Sequence, residues 1–290
     1  MLKTGITDRS YTNYYGVEEG LRRIASHGYY GVDCQLFVDT AQPYFELSEE
    51  DFLAYVENYK KNVHAAGLKI YQAHGPWRYP PKDSTPEEQA ERMEKIKRSL
   101  RGTAALECKR FVYHPLMPFT THDEDHERET WEINLPFLQE MADYAATLGI
   151  TVCLENMPMP DFSLASTAKI LEMVQAVDRP NFKVCLDTGH CAVMKEDLAD
   201  CVRMLGGYLE TLHIHDNDGR RDLHLLPYSK TLDFDAFAKA LHEIGFQGVL
   251  SLESVFGIHL PKALREQEEL LLSEKIRYMA KLASGEEVQK

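Results

Sequence analysis

The stretch ETLHIHDND, Glu210 to Asp218, decides how this chain is read. It opens as an apolar run too short for a helix and closes on two histidines and two aspartates. Residues two apart in a strand share a face, so His213 and His215 point one way and Ile214 the other. His215 lies nearer the carboxyl end. It is therefore the expected ligand, with His213 beneath it as a supporting or core histidine.

The same form recurs on either side. FKVCLDTGH (182–190), ITVCLEN (150–156) and GVLSLES (248–254) are apolar runs that end in polar, reactive side chains. Further runs begin at Lys3, Gly31, Lys69 and Arg110, making eight, spaced by about 35 residues. The segments between them carry helix punctuation. Thr85-Pro86-Glu87-Glu88 supplies a cap, a first-turn proline and acidic residues. Ser48 precedes Glu49-Glu50-Asp51 as in a capping box. Gly67, Gly149 and Gly245 sit where helices end. From Arg92 to Leu106, acids and bases alternate as on a solvated outer face. Eight strand–helix pairs imply an α/β fold, a single (β/α)8 TIM barrel spanning 1–290, with a tail fraying from about 283. An open doubly wound sheet is the alternative; even spacing and polar strand ends favour the barrel.

Composition narrows the function classes. A chain of 290 residues with 44% hydrophobic and 27% charged residues is ordinary globular protein. No apolar run is long enough to span a bilayer, and Met1–Ser10 lacks a secretory pattern, so no membrane association is expected. The net charge of −14 disfavours a phosphate-backbone partner, so no nucleic acid is expected either. Six dispersed cysteines without a CxxC pair fit a reducing, cytoplasmic setting.

In a barrel, the carboxyl ends of the strands face the active-site mouth. Read in order, those ends carry His74, His114, Glu155, Asp187 with His190, His215, and Glu253. Asp222 and His224 follow in the loop after the seventh strand. Carboxylates and imidazoles on one rim repel or go unpaired unless a cation binds them. Glu155, Asp187, His215 and Glu253, from four successive strands, form a mixed oxygen–nitrogen set suited to a divalent metal. Trp77, after His74, is a candidate wall for a ligand. His27, His64 and His242 fall in helical stretches and read as surface residues.

At LEN (154–156), LDTGH (186–190), HIHDND (213–218) and LES (252–254), the chain resembles the xylose-isomerase-like superfamily of TIM barrels. That group includes sugar isomerases and epimerases, inosose dehydratases and the endonuclease IV type. The resemblance to its ketose 3-epimerases implies one divalent ion on Glu155, Asp187, His215 and Glu253. Manganese is the first choice, with Co, Mg, Fe or Zn as alternatives. It also implies substrate contacts from His190 and from Arg221, six residues after His215, with Arg220 competing. His74, His114, His224 and Trp77 complete the expected substrate-binding set. The resemblance to the endonuclease IV group would instead make His74, His114, His190 and Asp222-Leu223-His224 ligands of further zinc ions.

The expected function is a metal-dependent sugar isomerase or epimerase. Glu155 and Glu253 would act as a paired base and acid on the carbon next to a carbonyl, through an enediolate. An inosose-type dehydratase and an endonuclease-like phosphodiesterase are the alternatives. The expected partner is a small sugar or polyol, and a homo-oligomer rests on the resemblance alone.

Overall fold

The computed structural model describes residues 1–78, 83–117, 126–257 and 259–287. Each apolar run forms a short strand: β1 (Lys3–Thr7), β2 (Gly31–Cys34), β3 (Lys69–His74), β4 (Arg110–Tyr113), β5 (Thr151–Glu155), β6 (Phe182–Asp187), β7 (Leu209–His213) and β8 (Val249–Leu252). Valine, isoleucine and aromatic side chains fill a pleated, buried surface well. All pair in parallel, in the order β7-β6-β5-β4-β3-β2-β1-β8. The two ends meet just past β7, where the Ile214 N–H donates to Ser251 O at 2.8 Å. The Glu253 N–H returns a bond to Ile214 O at 3.1 Å. These two bonds close a TIM barrel.

The helices are α1 (Arg9–Tyr15), α2 (Val17–Ser26), α3 (Glu49–Ala65), α4 (Pro86–Ala105), α5 (His126–Thr147), α6 (Thr167–Val177), α7 (Thr188–Met194), α8 (Leu198–Leu205), α9 (Phe234–Glu243) and α10 (Lys262–Ala283). The caps act as their sequence implies. Thr85 and Glu88 form a reciprocal capping box on α4, and Ser48 accepts the Asp51 N–H at 3.1 Å. Each such cap contributes about 1 kcal/mol.

The main apolar core lies between strands and helices. Val112, Cys153 and Cys185 form a second, smaller cluster, one residue from each of β4, β5 and β6. Tyr71 reaches from β3 to hydrogen-bond Ser251 of β8 at 2.7 Å. It passes where a Cβ on Gly5 would stand, 2.2 Å from the ring, so position 5 admits no side chain.

Two outer features differ from expectation. Arg92 is 3% exposed rather than solvated, because Asp83 and the Pro76 carbonyl fold over it at 3.4 Å each. His27 is half-buried, bonded to the Tyr11 hydroxyl at 3.0 Å. The described part of the C-terminus is tied down. Ser284 Oγ accepts the Leu2 N–H at 2.8 Å, and the Glu286 N–H bonds Lys281 O at 3.0 Å. Residues 288–290 of the expected frayed tail lie outside the described residues.

Candidate active site

The motif residues explain one another. Asn156 clamps the start of α7: its Oδ1 accepts the Asp187 N–H at 2.8 Å and its Nδ2 donates to Asp187 O at 3.1 Å. Asp187 caps α7, accepting the His190 N–H at Oδ1 (2.7 Å). That leaves Oδ2 for His215 Nε2, 3.0 Å away. Thr188 grips the His215 backbone from both sides. Its hydroxyl donates to His215 O at 2.7 Å and accepts the His215 N–H at 3.0 Å. Asn217 Nδ2 donates to Gly189 O at 2.5 Å. Asp216 accepts the N–H groups of Ser229 and Lys230 at 2.9 and 2.6 Å, which fixes the loop carrying Asp222 and His224.

These elements surround a cavity of about 540 Å³ at the carboxyl ends of the strands. His74, His114, Glu155, His190, Asp222, His224 and Glu253 all line it, as does Trp77, whose ring meets that of His114 edge-on at 4.6 Å. Asp187 and His215 are fully buried beside it. His215 stacks on His224, with ring centroids 4.1 Å apart.

The histidines are oriented by the backbone. His74, His190 and His224 each donate Nδ1–H to a carbonyl, of Gly75 (2.9 Å), Asn156 (2.7 Å) and Glu253 (2.8 Å). Each Nε2 is thereby turned toward a carboxylate: His74 toward Glu155 at 3.4 Å, His190 and His224 toward Asp222 at 3.3 and 3.0 Å. Fixing one ring nitrogen to present the other is how ligating or substrate-facing histidines are held.

Beneath them His213, expected as a supporting histidine, joins a buried chain whose other end, Asp33, was not among the expectations. His213 Nε2 bonds Asp33 Oδ2 at 3.0 Å, and its Nδ1 bonds Glu155 Oε1 at 2.8 Å and stands 3.3 Å from Glu253 Oε2. Gln72 steadies Asp33 at 3.1 Å. The signal for Asp33 was a lone carboxylate inside the apolar run GVDC.

The carboxylates diverge in acidity. Burial opposes charge on Glu155, but His213 and His114 outweigh it and hold the group well below the usual range. Burial pushes Glu253 up, against His213 and His224. Burial likewise opposes charge on His190 and His224, yet their carboxylate neighbours lift them to about 9 and about 10. Burial drives His114 down to about 4.

The structure does not bring Arg221 to the cavity. Its N–H is held by Asp218 Oδ1 at 3.0 Å, and its side chain is 76% exposed, 3.9 Å from Asp218 Oδ2. Arg220 is exposed on the same turn. Among the described residues, the arginine that lines the cavity is Arg9, at the start of α1, which sequence reasoning missed.

The donor set fits a divalent cation. His114 Nδ1 and His215 Nδ1 are buried without a hydrogen-bond partner, and Glu155 Oε2 meets only imidazole nitrogens, of His114 at 2.9 Å and His74 at 3.4 Å. Ligand atoms of His74, His114 and Glu155 lie within 4.8 Å of one another, as do those of Asp187, His190 and His215, and of His215, His224 and Glu253.

Residues 21–282 match the family described as Xylose isomerase-like TIM barrel. The chain belongs to that family. Among xylose isomerase-like relatives, D-psicose 3-epimerase of Ruminiclostridium cellulolyticum is 28% identical over 144 residues, 49% of this chain and 46% of that one. Inosose isomerase of Bacillus subtilis is 26% identical over 147 residues, 49% of this chain and 53% of that one. The matches thus span about half the length of these curated relatives. The crystal structure of IOLI protein with a binding zinc atom superposes with a TM-score of 0.74 at 19% identity, over 99% of this chain and 100% of that one. Among the described residues, no helix is long and apolar enough to cross a membrane.

Proposed function

We propose that this chain is a sugar isomerase or epimerase whose site takes a divalent cation. The observation that carries this reading is the convergence of Glu155 and Glu253. Both line one cavity and both face His213 Nδ1, at 2.8 and 3.3 Å. Glu155, Asp187, His215 and Glu253 would hold the cation. Their oxygen–nitrogen chemistry suits Mn, Co, Fe or Zn, and Mg as well, with manganese the first choice on the family resemblance. The chemistry supplied there is neutralisation of charge on substrate oxygens as the neighbouring carbon loses its proton.

The rest falls to side chains. One glutamate takes the proton from the carbon beside the carbonyl. The other, protonated, returns one to the opposite face, inverting that centre. His213 positions both carboxylates from below. His190 and His224, fixed through Nδ1, present Nε2 to substrate hydroxyls. Trp77, Met157 and Met159 wall the cavity and exclude water. Elimination of water from a cyclic polyol would use the same groups, and product analysis separates the two.

The test is deuterium uptake from D2O into a panel of ketoses and inososes, followed by NMR. Wild-type protein exchanges at least one of them. Glu155→Gln and Glu253→Gln each lose about 10²–10⁴-fold in rate. Full turnover in both variants would sink the paired-carboxylate mechanism.

One observation favours a second reading, multi-metal phosphodiester hydrolysis. His74, His114 and Glu155 gather apart from Asp187 and His215, and Asp222 stands between His190 and His224. Cleavage of an abasic DNA duplex with zinc supplied would support it.

A further inference from the structure

The catalytic cavity does not end at Arg9. Arg9, Gln35 and Val38 also wall a neighbouring cavity of about 300 Å³ over the ends of β1 and β2. Both volumes fall within the range of small-molecule sites. The second cavity leads on through Val17, Tyr55 and Tyr59 into a groove between α2 and α3. The three spaces adjoin through these shared wall residues, in an order that leads outward from the glutamates as a trench.

The walls of the middle section have a consistent chemistry. Tyr44 and Tyr55 stack, with centroids 4.6 Å apart and planes at 16°. The Tyr44 hydroxyl is anchored to Leu36 O at 2.6 Å, while Tyr55 stays 42% exposed. Thr12, Asn13 and Gln42 add uncharged donors and acceptors. Asp8 and Asp39 stand on the same wall, and Arg9 is the one lysine or arginine among the described lining residues. The Asp39 carboxylate offsets the Arg9 guanidinium and Asp8 keeps its proton toward neutral pH, so this section offers no net positive charge to an anionic ligand. An aromatic platform with amide and hydroxyl groups suits the apolar face and rim hydroxyls of a neutral pyranose.

We propose that the trench binds a hexosyl unit attached to the reacting sugar, so that the preferred substrate is a glycosyl-ketose rather than a free monosaccharide. This deepens the sugar reading above and rests on it. The reacting ketose occupies the cavity of Glu155 and Glu253. The linked ring passes Arg9 and Gln35 and rests against Tyr55.

The test compares deuterium uptake from D2O into fructose and psicose with uptake into isomaltulose and lactulose, which keep a free carbonyl and a free neighbouring hydroxyl. The expected result is a higher kcat/KM for a disaccharide. Tyr55→Ala lowers the disaccharide-to-monosaccharide ratio by about tenfold, and Tyr55→Trp restores it. The same ratio in wild type and Tyr55→Ala overturns the proposal and leaves the sugar reading standing. Preference for fructose 6-phosphate over every neutral sugar also overturns it. If no sugar exchanges, the sugar reading fails, and saturation-transfer NMR with isomaltulose decides the trench. Binding that Tyr55→Ala weakens upholds the hexosyl site, and absent or unaltered binding overturns it.

Discussion

The imidazole of His215 lies against Gly189 so closely that a Cβ at position 189 would stand 1.9 Å from His215 Cε1. The glycine of LDTGH is there to make room for the histidine of HIHDND. Gly189→Ala must therefore push His215 away from Asp187 Oδ2, now 3.0 Å distant. The expected outcome is a fold retained at a cost of about 1–3 kcal/mol, with loss of bound metal. Urea unfolding and elemental analysis check the two halves separately.

Asn156 satisfies both backbone groups of Asp187 from a position with no exposure to solvent. Asn156→Ala leaves the buried Asp187 N–H without its acceptor, while the Asp187 carbonyl, at the N-cap of α7, keeps the first bond of that helix. The orphaned N–H costs about 1–3 kcal/mol, and unfolding free energy should fall by that amount. A loss below about 0.5 kcal/mol would show that water or a shifted α7 replaces the amide.

Asp33 predicts a larger effect. Its carboxylate is fully buried and faces His213 Nε2 at 3.0 Å. Removing it leaves two buried donors, His213 Nε2 and Gln72 Nε2, without that acceptor, at about 1–3 kcal/mol each, while Glu155 still faces His213 Nδ1. Asp33→Ala is expected to unfold at clearly lower urea concentration than wild type. Asp33→Asn, which still accepts a hydrogen bond, should lose less.

Asp8 gives a pH signature. Burial, against hydrogen bonds from the Tyr59 hydroxyl and the Gln35 N–H, lifts its carboxyl from 3.8 to about 7. The folded chain keeps this proton where the unfolded chain has lost it. The stabilisation is therefore complete below about pH 4 and is lost as pH rises to about 7, at most about 4 kcal/mol. Asp8→Asn should flatten the stability profile over that window. The same difference in unfolding free energy between wild type and Asp8→Asn at pH 4.5, 5.5 and 7 would refute the shift.

The barrel and its rim were legible because polar residues stand out at the ends of apolar runs. Glu155, Asp187, His215 and Glu253 each close such a run, and the eightfold rhythm brings them round one mouth. Other features depend on contacts that no local pattern records. Asp33 finds its partner 180 positions away. Arg92 is buried by a loop carbonyl and Asp83, so its charged neighbourhood in sequence misled. Arg221 stands at the offset the resemblance implies, but Asp218 turns the backbone there and sends the side chain outward. Arg9 carried no motif, though it stands two residues past the end of β1, where the same rule of strand ends places it at the mouth.

The number of ions separates the two readings of the site. Under the sugar reading one divalent ion is expected per chain, held by Glu155, Asp187, His215 and Glu253. It should disappear in Glu155→Ala and His215→Ala and persist in His114→Ala. Because the ion binds the folded chain alone, removing it by chelation should lower stability. The loss is about 3–4 kcal/mol when the free ion stood at 100 to 1,000 times its dissociation constant. His114 stands 2.9 Å from Glu155 Oε2, so it is also placed to share a second ion through that carboxylate. Two or three zinc ions per chain, one of them lost in His114→Ala and in His74→Ala, would move the hydrolytic reading ahead of the sugar one. Elemental analysis of the four variants beside wild type decides between them, since each reading predicts a different pattern of losses.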